Sequence, residues 1–147
     1  MPDKPAPTYT VEDHSSDLMI RARGRDYLEA LANASTALVM ESVTAEEPSE
    51  AEERHILING DSDDQRTIAF LNEILYLIFG CHWVPWRVRH LTLCKQKGCR
   101  SLEAVVVGEP LNPARHVFRH DVKAVTYHDF AIRQDEEKTT IQFVCDL

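Results

Sequence analysis

Long apolar runs are missing from this chain of 147 residues. The longest, Ile74–Phe79, falls far short of the ~20 residues that cross a bilayer as a helix, so no membrane span is expected. The opening stretch MPDKPAPT holds no apolar core and no small-residue cleavage site. It reads as a loose tail over residues 1–8, not as a secretory signal. Cysteine is scarce, at four. With no export signal, the expected setting is intracellular and cytoplasmic, or nuclear in a eukaryote. There Cys81, Cys94, Cys99 and Cys145 are expected as thiols. Basic residues are in deficit, with 16 Lys and Arg against 24 Asp and Glu and a formal net charge of −8. That argues against general binding to a phosphate backbone, which needs clustered cations. No nucleophile elbow, phosphate-binding loop, dinucleotide fingerprint or HExxH string occurs.

Hydrophobic residues make up 44% of the chain, enough for one core at this length. Tyr9–Glu12 predicts a short strand, HSSD at 14–17 a polar turn, and Leu18–Arg23 a second strand. Asp26 opens a helix as its cap, with Glu29 in the capping-box relation, and the stripe Leu28, Leu31, Ser35, Leu38, Val39, Ser42 carries it to about Val43. The acidic stretch 45–53 predicts a solvated linker. A strand over His55–Asn59 follows. A second helix, capped within Asp61–Asp64 and stopped at Gly80, buries Ile68, Leu71, Leu75 and Ile78 and is the expected centre of the core. Four further strands are expected. One within Pro85–Cys94 pairs with Ser101–Gly108 through a turn at 95–100, and Val122–Arg133 pairs with Thr140–Leu147 through the turn QDEEK. Pro110 and Pro113 keep 109–121 from being regular strand throughout. The class is α+β: one domain over 9–147, a largely antiparallel β-sheet with two helices packed on it.

The densest polar chemistry lies in Arg115–Ile132. Two-residue alternation puts Val122, Ala124, Thr126, His128, Phe130 and Ile132 on one face of a strand, and Lys123, Val125, Tyr127, Asp129 and Arg133 on the other. A two-sided strand with a solvated outer face is the plain reading of that pattern. Cys94 and Cys99 outline half of a loose zinc site, with Cys81 and His82 as the other half, a pattern that incidental thiols beside a hairpin explain better. Glu73, inside the apolar second helix, is a candidate buried carboxylate. Asp17 and Asp146 stand at two strand ends, and Leu147 follows with a main-chain or terminal carboxylate oxygen. Brought together, they would make a hard oxygen site of the kind that takes Ca²⁺, Mg²⁺ or Mn²⁺.

These residues also carry a resemblance. His14-Ser15-Ser16-Asp17-Leu18, Leu71-Asn72-Glu73 with Leu75, Gly108-Glu109-Pro110 with Arg115-His116, the string VKAVTYH at 122–128, and Asp146-Leu147 resemble the archease family's motifs in the family's order. The likeness covers roughly residues 9–147. Ser15, Ser16 and Met19 depart from the family's Thr, Ala and Gly. The resemblance implies an accessory activator of an RtcB-type RNA ligase in tRNA splicing, not an enzyme in itself. The ligase uses GTP to guanylylate its own histidine, and the activator promotes that step and multiple turnover. RNA is then met only through the ligase, with no membrane partner. Metal-binding positions carried over from the family fall on Asp17, Asp146 and Leu147, with calcium expected and magnesium or manganese as functional alternatives. His14, Lys123, Tyr127 and His128 are the implied supporting or ligase-contact residues. The alternative role is a chaperone-like modulator of a tRNA-modifying enzyme such as a methyltransferase.

Overall fold

A computed structural model describes residues 8–14, 17–94, 96, 98 and 100–147, with backbone alone at 13 and 14. Nine strands and two helices follow in order: β1 Tyr9–His14, β2 Asp17–Gly24, α1 Tyr27–Ser42, β3 Val43–Ala45, β4 Glu52–Asn59, α2 Asp63–Leu75, β5 Trp83–Leu93, β6 Ser101–Pro110, β7 His116–Phe118, β8 Ala124–Gln134 and β9 Thr139–Asp146. A π-helical turn, Tyr76–Gly80, continues α2 without a break. The α+β class expected from the sequence is what forms. The tail expected over 1–8 falls almost wholly outside the described residues, as does much of the turn at 95–100.

Both helix starts follow from their caps. The Glu29 N–H donates to the Asp26 carboxylate at 2.9 Å, and the Gln65 N–H donates to Ser62 Oγ at 3.1 Å. Each bond satisfies an amide that the first turn leaves without a helical partner. Asp63 and Asp64 add negative charge in the first turn of α2, where the helix dipole favours it.

The strands form three sheets, not one: β1-β2-β9-β8, β4-β6-β5 and the pair β3-β7. α1 packs on β2, β9 and β5, and α2 packs on β8, β4 and α1. The two helices therefore lie in the core that joins the larger sheets. Leu31, Leu38, Phe70, Leu71, Ile74 and Ile78 are fully buried there.

Three sequence expectations change. The 45–53 linker is shorter than expected, because Ala45 ends β3 and Glu52 begins β4. Glu50 and Glu53 are not merely solvated, since they pair with Arg87 and Arg89. The 109–121 segment holds a short strand, β7, with Phe118 opposite Val43, so five strands follow α2 and not four. Cys94 is disulfide-bonded, whereas Cys81 and Cys145 are free thiols. The expectation of thiols throughout therefore fails at Cys94, whose sulfur is no longer available as a thiolate ligand. Cys99 lies outside the described residues.

Candidate metal-binding tip

Strand register builds the tip. In the four-stranded sheet His14 stands opposite Asp17, Asp17 opposite Asp146, and Asp146 opposite Ala124. The neighbouring row is Leu18, Cys145 and Val125, and those side chains are buried, at 3%, 0% and 3% exposure. Side chains alternate along a strand and directly paired residues share a face. Asp17 and Asp146 therefore project together on the face away from the helices. Asp146 is exposed, and Asp17 and Leu147 are half-buried. The two strand ends, far apart in sequence, meet as the sequence reading required.

Two carboxylates directly across a strand pair repel each other. Among the described residues neither has an ion-pair or hydrogen-bond partner for its side chain. No three His, Cys, Asp or Glu side chains of the described residues converge on one point. The tip thus offers two side-chain carboxylates, with main-chain oxygen next to Asp146 as the further donor of the same chemistry. All are hard oxygen donors, which suits Ca²⁺, Mg²⁺ or Mn²⁺. Met19, bulky where glycine is usual, is buried between Glu12 and Val144 in the register. It is absorbed without moving Asp17 out of line with Asp146.

The remaining candidates divide into near and far. His14 is adjacent by backbone pairing. Lys123 is exposed, and its N–H donates to the Asp146 carbonyl at 2.8 Å, which ties the chain before β8 to the tip. Tyr127 and His128 lie elsewhere. The β8–β9 ladder breaks between Thr126, opposite Val144, and Ala131, opposite Gln142. Residues 127–130 therefore stand against Phe143 alone and bulge out of the sheet. Asp129 takes a left-handed φ of 53°, which Asp tolerates better than most side chains. Gln142 Nε2 donates to its carbonyl at 2.8 Å. Tyr127 is exposed with its ring edge toward Phe130, and His128 Nε2 lies 3.3 Å from Asp129 on the surface.

The bulge also corrects the face assignment. Val125, placed by simple alternation on the outer face with Lys123 and Tyr127, is a core residue at 3% exposure, and His128 is exposed. Behind the tip, burial raises the Cys145 thiol, reinforced by Asp146, Glu41 and Asp17, to about 12. It is an inert packing group.

Two features escaped residue-level reading. Asn72 donates to the Val125 carbonyl at 3.0 Å and accepts from the Val125 N–H at 2.9 Å. Its amide acts as a one-residue neighbour strand on the open edge of β8, just behind the tip. A polar residue inside an apolar helix was the signal. Glu73 beside it, a candidate buried carboxylate, is half-buried.

The second feature is Glu109. Burial alone would raise its pKa. The Ser49 N–H, the Trp86 indole at 2.8 Å, the Arg115 guanidinium and the nearby His116 outweigh burial and hold it at about 2. His116 is fully buried. Its Nδ1 accepts from the Asn112 N–H at 2.8 Å, so the ring proton sits on Nε2, 3.2 Å from Glu109. That contact is poorly aligned for a hydrogen bond. Arg115 also donates to the Glu47 carbonyl at 2.7 Å. This centre braces the 47–49 segment against β6 and β7.

Residues 9–147 match the model of the archease protein family (MTH1598/TM1083). A protein archease of Methanosarcina mazei is 27% identical over 139 residues, covering 95% of each chain. One of Aeropyrum pernix is 34% identical over 145 residues, covering 92% of this chain and 94% of its own. Two solved structures share the fold. The solution structure of Methanobacterium thermoautotrophicum protein 1598 superposes with a TM-score of 0.74 at 22% identity, covering 95% of this chain and 99% of that one. The crystal structure of a Thermotoga maritima archease, described as a possible chaperone, gives 0.60 at 20% identity over the whole of both chains.

Proposed function

Because the chain belongs to the archease family, we propose that it activates an RtcB-type RNA ligase, promoting the ligase's guanylylation by GTP and its repeated turnover through a divalent-metal-binding acidic tip. The observation that carries this reading is the cross-strand pair Asp17–Asp146. A fold has no structural reason to set two unpartnered carboxylates face to face, since the arrangement costs stability. A cation-binding role supplies one.

Asp17, Asp146 and a main-chain oxygen at Leu147 would hold the ion. When bound, it supplies a positive charge that cancels the carboxylate repulsion and suits phosphate chemistry. The chain's own residues do the positioning. Asp17 and Asp146 are aimed by the β2–β9 register. Lys123 fixes the Asp146 main chain from one side, and the Asn72 clip stiffens β8 behind it. His14 stands beside Asp17. Lys123, projecting free of any ion pair among the described residues, is the cation of this surface suited to contact the ligase or its nucleotide. Tyr127 and His128, on the bulge, offer a contact surface outside the metal tip.

The experiment is multiple-turnover RNA ligation by the cognate ligase, with this protein below and at equal amounts, for wild type and folded Asp17→Ala. Stimulation that disappears in the variant supports the reading. Equal stimulation by both would move the active surface away from the tip.

A second reading, a chaperone-like modulator of a tRNA-modifying enzyme, is favoured by the description of the Thermotoga maritima relative as a possible chaperone. It predicts binding to such an enzyme with no demand for Asp17. No helix among the described residues is long and apolar enough to cross a membrane.

A further inference from the structure

An apolar groove of about 520 Å³ opens beside the tip. Leu75, Tyr76 and Phe79 form one wall, and Asp121, Val122 and Lys123 form the other. Tyr76 is 58% exposed. Its ring lies over Gly80, where a Cβ would come within 2.7 Å of it. Phe79 stacks on Phe118 with ring centroids 6.2 Å apart, and Phe118 is itself 49% exposed. An ordered aromatic surface left in water forgoes the gain of burying it. Short π-helical turns of this kind recur at functional sites.

The charge around the groove says what covers it. Several carboxylates away from the groove, Glu12, Glu29, Glu50, Glu53, Asp63 and Glu109, are paired with arginines. Around the groove Glu73 and Asp121 have no ion-pair partner among the described residues, and Lys123 lines the same groove. An unneutralised acidic rim repels phosphate backbones and selects a protein surface bearing cations. The groove is also continuous with the tip, because the Lys123 N–H that closes its wall bonds the Asp146 carbonyl at 2.8 Å.

We propose that this groove is the anchor by which the chain docks on the ligase: an apolar ligase side chain inserts between Tyr76, Phe79 and Val122, a neighbouring Lys or Arg of the ligase meets Asp121 and Glu73, and the tip is thereby delivered to the ligase active site. This rests on the activator reading. It adds a division of labour, in which the groove sets affinity and the tip sets the effect once docked.

The test titrates this protein into multiple-turnover ligation and, in parallel, measures binding of the fluorescently labelled protein to the ligase. Tyr76→Ala and Asp121→Lys change exposed side chains and leave the core intact. Each is expected to raise the half-saturating concentration and the Kd by roughly tenfold, the usual effect of losing an anchor residue, with full stimulation recovered at saturation. Asp17→Ala is expected to lower the maximum with Kd unchanged. Stimulation with Kd and half-saturation within twofold of wild type in both groove variants overturns the groove and leaves the activator reading standing. Tyr76-dependent ligase binding without any stimulation supports the groove and sinks the activator reading. No ligase binding by wild type overturns both. Tyr76-dependent binding of single-stranded RNA without ligase overturns the protein occupant.

Discussion

Asp17 and Asp146 face each other across β2 and β9, and their repulsion is measurable without any ligase. Neutralising one carboxylate removes a like-charge cross-strand pair worth about 0.2–1 kcal/mol. For a chain of this length that is a rise of roughly 1–3 °C in Tm. Asp17→Asn should therefore melt slightly higher than wild type in EDTA and show none of the upward shift that calcium is expected to give wild type. A calcium shift of equal size in both proteins would remove the tip as the binding site. Glu109 makes a second prediction at a single side chain. Its carboxyl is held at about 2 against an ordinary 4.5, so its stabilisation is complete above pH 4.5 and is lost as pH falls from there toward 2. The shift corresponds to something on the order of 3 kcal/mol. Urea unfolding at successive pH values should show that loss in wild type and a much flatter profile in Glu109→Gln, which is already weaker at pH 7. Parallel profiles would mean that the brace does not depend on the Glu109 charge.

The edge strand β8 is where local geometry and function meet. An edge exposes unpaired N–H and C=O groups, and the Asn72 amide satisfies both such groups of Val125. Asn72→Ala should cost about 1–3 kcal/mol through the two backbone groups left unmatched. It should also speed hydrogen exchange at the Val125 amide well beyond what the global loss explains. Exchange there that merely tracks global stability would make the clip incidental. The bulge over 127–130 has a different role. By inserting extra residues opposite Phe143 it swings Tyr127 and His128 off the ladder, so these two are tested as surface residues and not as metal ligands. The π-turn that ends α2 sets Tyr76 over Gly80 on one wall of the groove.

For the molecule as a whole, charge decides what can approach. The net charge of −8 includes carboxylates at the tip and groove that have no ion-pair partner among the described residues. Association with a cation-bearing ligase surface should therefore weaken as salt screens it. Half-saturating concentrations are expected to climb as ionic strength rises from about 0.05 to 0.3 M, where the screening length falls below about 10 Å. Titration of the ligation assay at several salt concentrations checks this, and salt-independent affinity would point to a purely apolar contact.

Much of this protein was determined by the sequence alone. The two helices, their caps at Asp26 and Ser62, their buried stripes and most strands are legible because each rests on contacts within a few residues: a side-chain oxygen reaching an amide three positions on, or an apolar stripe of one period. The residues of the tip were legible too, as chemistry waiting for a meeting place. Tertiary structure decided the rest, because each remaining feature joins segments far apart in the chain. Asp17 meets Asp146 only through the β2–β9 register. Val125 turns inward because a bulge breaks the alternation, and β7 exists only because Val43 lies beside Phe118. Asn72 becomes an edge cap only once α2 lies against β8, and Glu109 becomes a brace only when the 47–49 segment folds over it. Pairing and packing across such distances depend on the whole core closing at once, and no local pattern of residues records that.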